Sequence, residues 1–222
     1  MEDLFLIKKN QLIMMEKRDF VIGKNEKWIS NATLEQFESY VNSARRTDIL
    51  DANYIRDNDI AVAMYLPSEA TSTGVAAVNK IKDKIAELES YIDPITKLRT
   101  FRNITIVCVV QFKFSKTSSQ DIRNIRLSKE NIGIEVFLYS QLLIIPTSNE
   151  NTGTYKLLNE QEKAALLSKY KVSVNQLPII NTSDAIVHFM GYPAGSVLAI
   201  QRDERGVSNG INFSYRIVVD DS

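Results

Sequence analysis

Residues 158–180, LNEQEKAALLSKYKVSVNQLPII, and residues 197–219, VLAIQRDERGVSNGINFSYRIVV, decide how the second half of this chain folds. Asn159 followed by Glu162, just ahead of the apolar positions Ala164, Leu166, Leu167 and Tyr170, reads as a capping box that opens a short amphipathic helix. Gln176-Leu177-Pro178 ends any helix that reaches it, because proline has no amide hydrogen and pushes Leu177 into extended geometry. Val197 to Arg202 and Asn212 to Val219 read as two strands, joined by a loop carrying the turn pairs Arg205-Gly206 and Asn209-Gly210. Alternation puts Phe213, Tyr215, Ile217 and Val219 on one face and Ser214, Arg216 and Val218 on the other, the pattern of a half-buried strand.

Working outward, the same stretch carries a set of spaced fragments: Glu162-Lys163, Leu166 to Lys171, Gln176 to Ile180, Asp184-Ala185, Gly191, Gly195-Ser196-Val197, Ile200-Gln201-Arg202 and Tyr215 to Val218. In order and spacing this set resembles the common subunit 5 of eukaryotic nuclear RNA polymerases, whose C-terminal half alone makes up the corresponding archaeal RNA polymerase subunit. The chain departs from the family pattern in places. Gly153 and Tyr155 stand where the family has proline and histidine, and Ala185 stands where it has proline. The loop after Arg202 carries Asp203-Glu204-Arg205-Gly206 in place of a Ser-Glu-Thr run and is longer by about two residues. These departures describe a divergent member, of which a large DNA virus with its own polymerase would be one natural source.

The resemblance implies a non-catalytic, architectural subunit of a multisubunit DNA-directed RNA polymerase, with no cofactor or metal of its own. It further implies a C-terminal unit anchored on the largest subunit and an N-terminal jaw beside downstream double-stranded DNA. Gln176, Leu177, Pro178, Asp184, Gly191, Arg202, Tyr215 and Arg216 match the family pattern and are the candidates for the surface facing the largest subunit. Against each stands a structural role: Leu177 and Tyr215 in the core, Gly191 in a turn, and Arg202 and Arg216 as exposed charges. The DNA-proximal candidates are Lys113, Lys116, Thr117 and Arg123, with contacts to phosphates and no sequence preference.

Composition agrees with an ordinary globular chain of 222 residues, long enough for one large domain or two modest ones. Twenty-seven basic and 27 acidic residues cancel, so no global field holds the chain on nucleic acid or an anionic membrane. Cys108 is the one cysteine; it excludes an internal disulfide and a cysteine cluster for zinc, and its apolar neighbourhood, Ile104 to Val110, reads as a buried thiol. His188 is the one histidine, and neither a zinc quartet nor a Ser-His-Asp arrangement can be assembled around it. No Gly-rich phosphate loop occurs. The acidic start Met1-Glu2-Asp3 is unlike a signal peptide, and no apolar run reaches a membrane span, so the expected location is intracellular and soluble, in a nucleus or, for a viral member, in a viral factory and virion.

In the first half, Leu4 to Phe20 reads as a helix with a broad apolar face, and Thr33 with Gln36 as a capping box before Phe37, Tyr40 and Val41. Asn42 to Asp59 is polar and reads as a connection. From Asp59 the pattern alternates: Ile60 to Leu66, closed by Pro67, is a strand, Val78, Ile81, Ile85, Leu88 and Ile92 a helical stripe, and Ile104 to Phe114 a second strand. A helix capped by Ser118 or Ser119 and a strand from Ile134 to Tyr139 come next. Crossover helices favour parallel pairing, and the continuous apolar run Ile104 to Val110 implies burial on both faces. Met14 to Ile22, Tyr65-Leu66-Pro67, Gly74-Val75 and Gly133 to Phe137 are also similar, more weakly, to the family's jaw.

The expectation is therefore an α+β/α/β chain. A three-layer α/β jaw with a mainly parallel or mixed sheet spans 1–146, a linker 147–157, and a small α+β unit with a β-hairpin 158–222. Two readings of another class compete with it. Gln111-Phe112-Lys113, with an upstream acid such as Asp59, imitates a metal-dependent nuclease signature if alternation sets Gln111 and Lys113 on one strand face. A generic interaction adaptor would instead bind a partner outside any polymerase.

Overall fold

The computed structural model describes residues 1–44, 50–66, 72–91, 100–148, 152–203 and 211–221. Pro67, Ile92, the stretch 149–151 and the two turn pairs after Arg202 lie outside them. The chain divides into two compact units, Met1–Ile144 and Ile145–Ser222.

Unit 1 opens with α1 (Glu2–Lys17), α2 (Lys24–Lys27) and α3 (Leu34–Ala44). The Thr33 capping box forms: the Thr33 amide donates to Gln36 Oε1 at 2.9 Å, and the Gln36 amide donates to Thr33 Oγ1 at 3.3 Å. Then come β1 (Ala52–Arg56), β2 (Asp59–Tyr65), α4 (Val75–Ser90), β3 (Asn103–Val110), α5 (Lys116–Ser128), β4 (Ile132–Leu138) and α6 (Tyr139–Leu142). The sheet runs β1-β2-β3-β4, with β2, β3 and β4 parallel and β1 antiparallel to β2. Parallel pairing is the outcome the crossover helices dictated.

β1 is a correction to the polar connection expected over Asn42 to Asp59. It folds back on β2 through Asp57, which takes φ 52°. Its sequence is too polar to read as a strand, because only Tyr54 is buried and the residues on either side face outward. β3 is also shorter than expected, ending at Val110.

Alternation along these strands builds two layers of core. Ile60, Val62, Met64, Ile104, Ile106, Cys108, Val110, Ile132 and Ile134 pack with Ala77, Val78, Ile81, Ile85 and Leu88 of α4 and Ile122 of α5. The opposite face turns Tyr54, Tyr65 and Glu135 toward α1, where Lys8 reaches Tyr54 at 3.3 Å and Arg18 reaches Glu135 at 2.8 Å. The sheet is therefore covered by helices on both faces, as the continuous apolar run implied. Cys108 is fully buried, which pushes its thiol well above the usual range.

Unit 2 carries β5 (Thr154–Leu157), α7 (Glu160–Tyr170), β6 (Ile179–Asn181), α8 (Ala185–Met190), β7 (Val197–Asp203) and β8 (Ile211–Val219). Its sheet runs β5-β7-β8-β6, antiparallel except for the parallel pair β6 and β8. Three of these elements were not anticipated. β5 lies within the stretch read as a linker, β6 follows Pro178 directly, and α8 is too short for a periodicity signal. β8 departs from the half-buried reading as well, since Ile217 and Val218, on opposite faces, are both buried. The reason is a helix on each side: Leu166 of α7 packs with Val197 and Ile217, and Val187 of α8 packs with Leu198, Ile200 and Val218.

Candidate functional site

Most of the family-matching residues of unit 2 perform local structural work. Asp184 caps α8, its Oδ1 accepting from the amides of Ile186 at 3.0 Å and Val187 at 3.3 Å. Gly191 ends the same helix with φ 66°, a left-handed conformation that glycine adopts without a Cβ penalty. Gln176 Oε1 accepts from the Ser173 amide at 2.8 Å and holds the turn that delivers the chain to β6. Leu177 is partly buried against Leu166, Val197 and Ile217, together with Tyr215.

The chain does bring five of the eight together. The Pro178 carbonyl accepts from the Ile217 amide at 2.9 Å, and Arg216 Nη1 donates to the Ile179 carbonyl at 3.1 Å. Gln176, Leu177, Pro178, Tyr215 and Arg216 thus converge where β6 meets β8. Gln176 and Pro178 are exposed there. Arg202 stands apart: it is in register with Asn212, whereas Arg216 is in register with Leu198, a separation of about 13 Å along the hairpin. Asp184 and Gly191 mark the two ends of α8.

Residues that are not among the eight candidates complete this surface. Tyr170 and Phe213 are each 53% exposed and Ile179 is 58% exposed. The Tyr170 ring lies 6.0 Å from that of Tyr215, centroid to centroid. Nothing in a linear reading marks these side chains as surface, because their apolar character is indistinguishable from that of core residues until the sheet order is known.

In unit 1 three of the four DNA-proximal candidates, Lys113, Lys116 and Thr117, flank the start of α5, while Arg123 lies seven residues further along it, about 10 Å away. Lys113, Lys116, Thr117 and Arg123 are all exposed. The cap of this helix is Ser115, one turn earlier than the expected Ser118 or Ser119; its Oγ accepts from the Ser118 amide at 3.2 Å, and Ser118 is itself buried. Buried Thr73 pins the segment before the cap. Its hydroxyl donates to the Phe112 carbonyl at 2.7 Å, its amide donates to the Lys113 carbonyl at 3.0 Å, and its own carbonyl accepts from the Ser115 amide at 3.1 Å. Lys113 and Lys116 therefore project from a fixed strand-to-helix junction.

The nuclease reading fails on geometry. β3 ends at Val110, so Gln111 and Lys113 sit on a bent segment and the alternation that would align them is absent. Asp59 is in register with Asn103, which puts it eight residues, about 26 Å, from Gln111 along the parallel pair. There it is engaged by Asn103 Nδ2 at 2.7 Å and Arg56 at 3.3 Å. Among the described residues no three His, Cys, Asp or Glu side chains group as metal ligands.

Against known proteins, residues 146–218 match the family model described as RNA polymerase Rpb5, C-terminal domain. A match over 67 residues to RNA polymerase subunit Rpo5 of Pyrococcus horikoshii is 42% identical and covers 79% of that protein and 30% of this chain. The chain belongs to the RNA polymerase subunit 5 family. The likeness extends through the first unit: the chain is 26% identical to the subunit rpabc1 of RNA polymerases I, II and III of Dictyostelium discoideum, over 99% of this chain and all of that one. It is 25% identical to RNA polymerase V subunit 5A of Arabidopsis thaliana, over 96% of this chain and 87% of that protein. As a member of this family the chain is an accessory, non-catalytic polymerase subunit. Among the described residues no helix is long and apolar enough to cross a membrane.

Proposed function

We propose that the chain docks on the largest subunit of a multisubunit DNA-directed RNA polymerase through its second unit and holds its first unit, as a jaw, beside the downstream duplex. The observation that carries the docking half is the coincidence of the family match, residues 146–218, with one self-contained unit, Ile145–Ser222. A module with its own sheet and core can be retained as an anchor while the rest diverges.

The DNA half rests on Lys113, Lys116, Thr117 and Arg123. Lys116 and Thr117 in the first turn of a 13-residue helix, with Lys113 two residues before its cap and the positive end of the helix dipole between the lysines, suit a phosphate backbone. Asp121 and Glu130 dilute the charge nearby, so the grip is weak alone and sequence-independent. Such a grip suits an enzyme that must translocate. The compartment is that of the polymerase served, the nucleus for a eukaryotic-type enzyme.

Tagged chain purified gently from its source should bring down the two large polymerase subunits in stoichiometric amounts; their absence would overturn the docking reading. In the assembled polymerase, Lys113→Ala with Lys116→Ala should leave subunit composition unchanged. The slope of log affinity for downstream duplex against log salt should fall by about 2. An unchanged salt series would remove these lysines from the DNA path.

A further inference from the structure

We infer that residues 22–31 form a strap that opens without unfolding the rest of unit 1, and that Glu26 is its catch on the buried ammonium of Lys8. The strap comprises α2 and the helical turn Trp28–Asn31. Both of its ends are fastened. Before it, the Val21 amide donates to the Ile55 carbonyl at 3.0 Å; after it, Thr33 and Gln36 cap α3. Between these points little apolar surface is buried: α2 buries no residue, and the turn buries only Ile29. Trp28 rests edge-on against Tyr40 of α3, the ring centroids 5.2 Å apart. Gly23, near the start of the strap, has open space where a side chain would begin. A segment with few buried apolar contacts between fixed ends is the kind that opens locally.

What lies beneath the strap is polar. The Lys8 side chain is fully buried, that of Glu26 is 16% exposed, and the two meet at 2.5 Å, so the carboxylate is the outer half of the pair. Asp51, the other acid whose field reaches Lys8, is engaged by the Tyr65 amide at 2.6 Å, which leaves Glu26 as the counter-charge in contact. Closure has a cost in the same place. Gln11 Nε2 and Tyr65 Oη are buried and find no hydrogen-bond partner among the described residues. Tyr54 Oη donates to Gln11 Oε1 at 3.3 Å, and Lys8 Nζ lies 5.4 Å from the Tyr65 ring centroid, so both residues belong to the Lys8 cluster. A buried polar group without a partner favours the state in which water reaches it. One ion pair therefore holds the strap shut over groups that gain from hydration.

The test follows two rates in the full-length chain: modification of Lys8 by an amine-reactive reagent, read by mass spectrometry, and amide exchange of β3 in the core. In the natural chain, urea well below the unfolding midpoint should leave the Lys8 rate nearly flat while β3 exchange climbs, because a local opening exposes little surface. A Lys8 rate that climbs in parallel with β3 would mean that Lys8 is reached only by global unfolding, and would overturn the strap. Two variants separate the catch from the core. Glu26→Gln removes a contact absent from the opened chain, so Lys8 modification should rise about tenfold or more. Ile106→Val, on the sheet face packed by α4, loosens a contact that opening retains; β3 exchange should rise about two- to tenfold while Lys8 modification matches the natural chain. A Lys8 rate that follows β3 in Ile106→Val, or one that Glu26→Gln leaves unchanged, overturns the assignment. Should Glu26→Gln not fold, Glu26→Asp, which keeps the charge on a shorter arm, takes its place and should raise the Lys8 rate in the same direction.

Discussion

Lys8 shows how much one side chain can hold in place. It is fully buried, and its three ammonium hydrogens find three acceptors: Glu26 Oε1 at 2.5 Å, the Leu50 carbonyl at 2.8 Å and Tyr54 Oη at 3.3 Å. α1, α2, the approach to β1 and β1 itself are tied through this single nitrogen. Burial lowers the pKa of Lys8, and Glu26 opposes that shift without cancelling it. The sign comes from linkage: between the lowered folded value and the usual 10.5 the unfolded chain binds the extra proton, so this group makes stability rise with pH across that window. Burial raises Tyr54 and Tyr65, which act oppositely above the ordinary tyrosine range. Comparing the natural chain with Lys8→Met in alkaline denaturation should isolate the lysine's part. Glu26→Ala leaves a buried ammonium without its counter-charge and should cost about 3–5 kcal/mol in chemical denaturation, whereas Lys8→Met with Glu26→Leu should come close to neutral. Equal losses in Glu26→Ala and the double variant would mean that the ion pair is incidental.

Among the elements, α7 and β5 illustrate opposite degrees of independence from context. The α7 capping box closes as its sequence demands, with the Glu162 amide donating to Asn159 Oδ1 at 2.8 Å and the Glu162 carboxylate accepting from the Asn159 amide. The hydrogen bond from Lys156, then that from the Asn159 amide, hold the Glu162 carboxyl below the usual carboxylate range. A depressed acid contributes stability above its unfolded value that is lost as pH falls through the folded one. Thermal melts of Glu162→Ala and the natural chain should therefore differ near neutrality, and the difference should shrink as pH falls below the ordinary glutamate range. β5 depends on its neighbours. Gly153 precedes it at φ 80°, and a Cβ there would stand 2.5 Å from the Gln201 carbonyl and 2.9 Å from Arg202 Cγ. Gly153→Ala must displace β5 from β7, and protection of the Thr154–Leu157 amides in hydrogen exchange should drop while that of β8 persists. Protection equal to the natural chain would show that the edge absorbs the clash.

For the whole molecule, each unit owns its core. Unit 1 closes on the two faces of its mixed sheet, and unit 2 on the two small clusters around Val187 and Leu166. Residues 145–222 expressed alone should fold cooperatively and retain a dispersed amide spectrum, the same spectrum it contributes within the full chain. A collapsed, undispersed spectrum would mean that unit 2 borrows stability from unit 1.

What the sequence determined by itself was whatever local chemistry dictates. The capping boxes at Thr33 and Asn159, the stop at Pro178, the buried run through Cys108 and the α4 stripe from Val78 to Leu88 depend on neighbours a few residues away, and all of them appear as read. Parallel pairing of β2, β3 and β4 came from the length of the crossovers. The rest was decided by contacts distant in the chain. β1 is a strand because β2 offers it an edge, and β5 because β7 does; neither has the apolar alternation that would announce it. β8 is buried twice because α7 and α8 take opposite faces of the sheet. The same holds for the candidate surface. Leu177, Asp184 and Gly191 could be named from their pattern, but only the packing assigns them to the core, a cap and a turn and leaves Tyr170, Phe213 and Ile179 in water. An apolar side chain is the same in sequence whether it is inside or outside, and the order of the strands makes the difference.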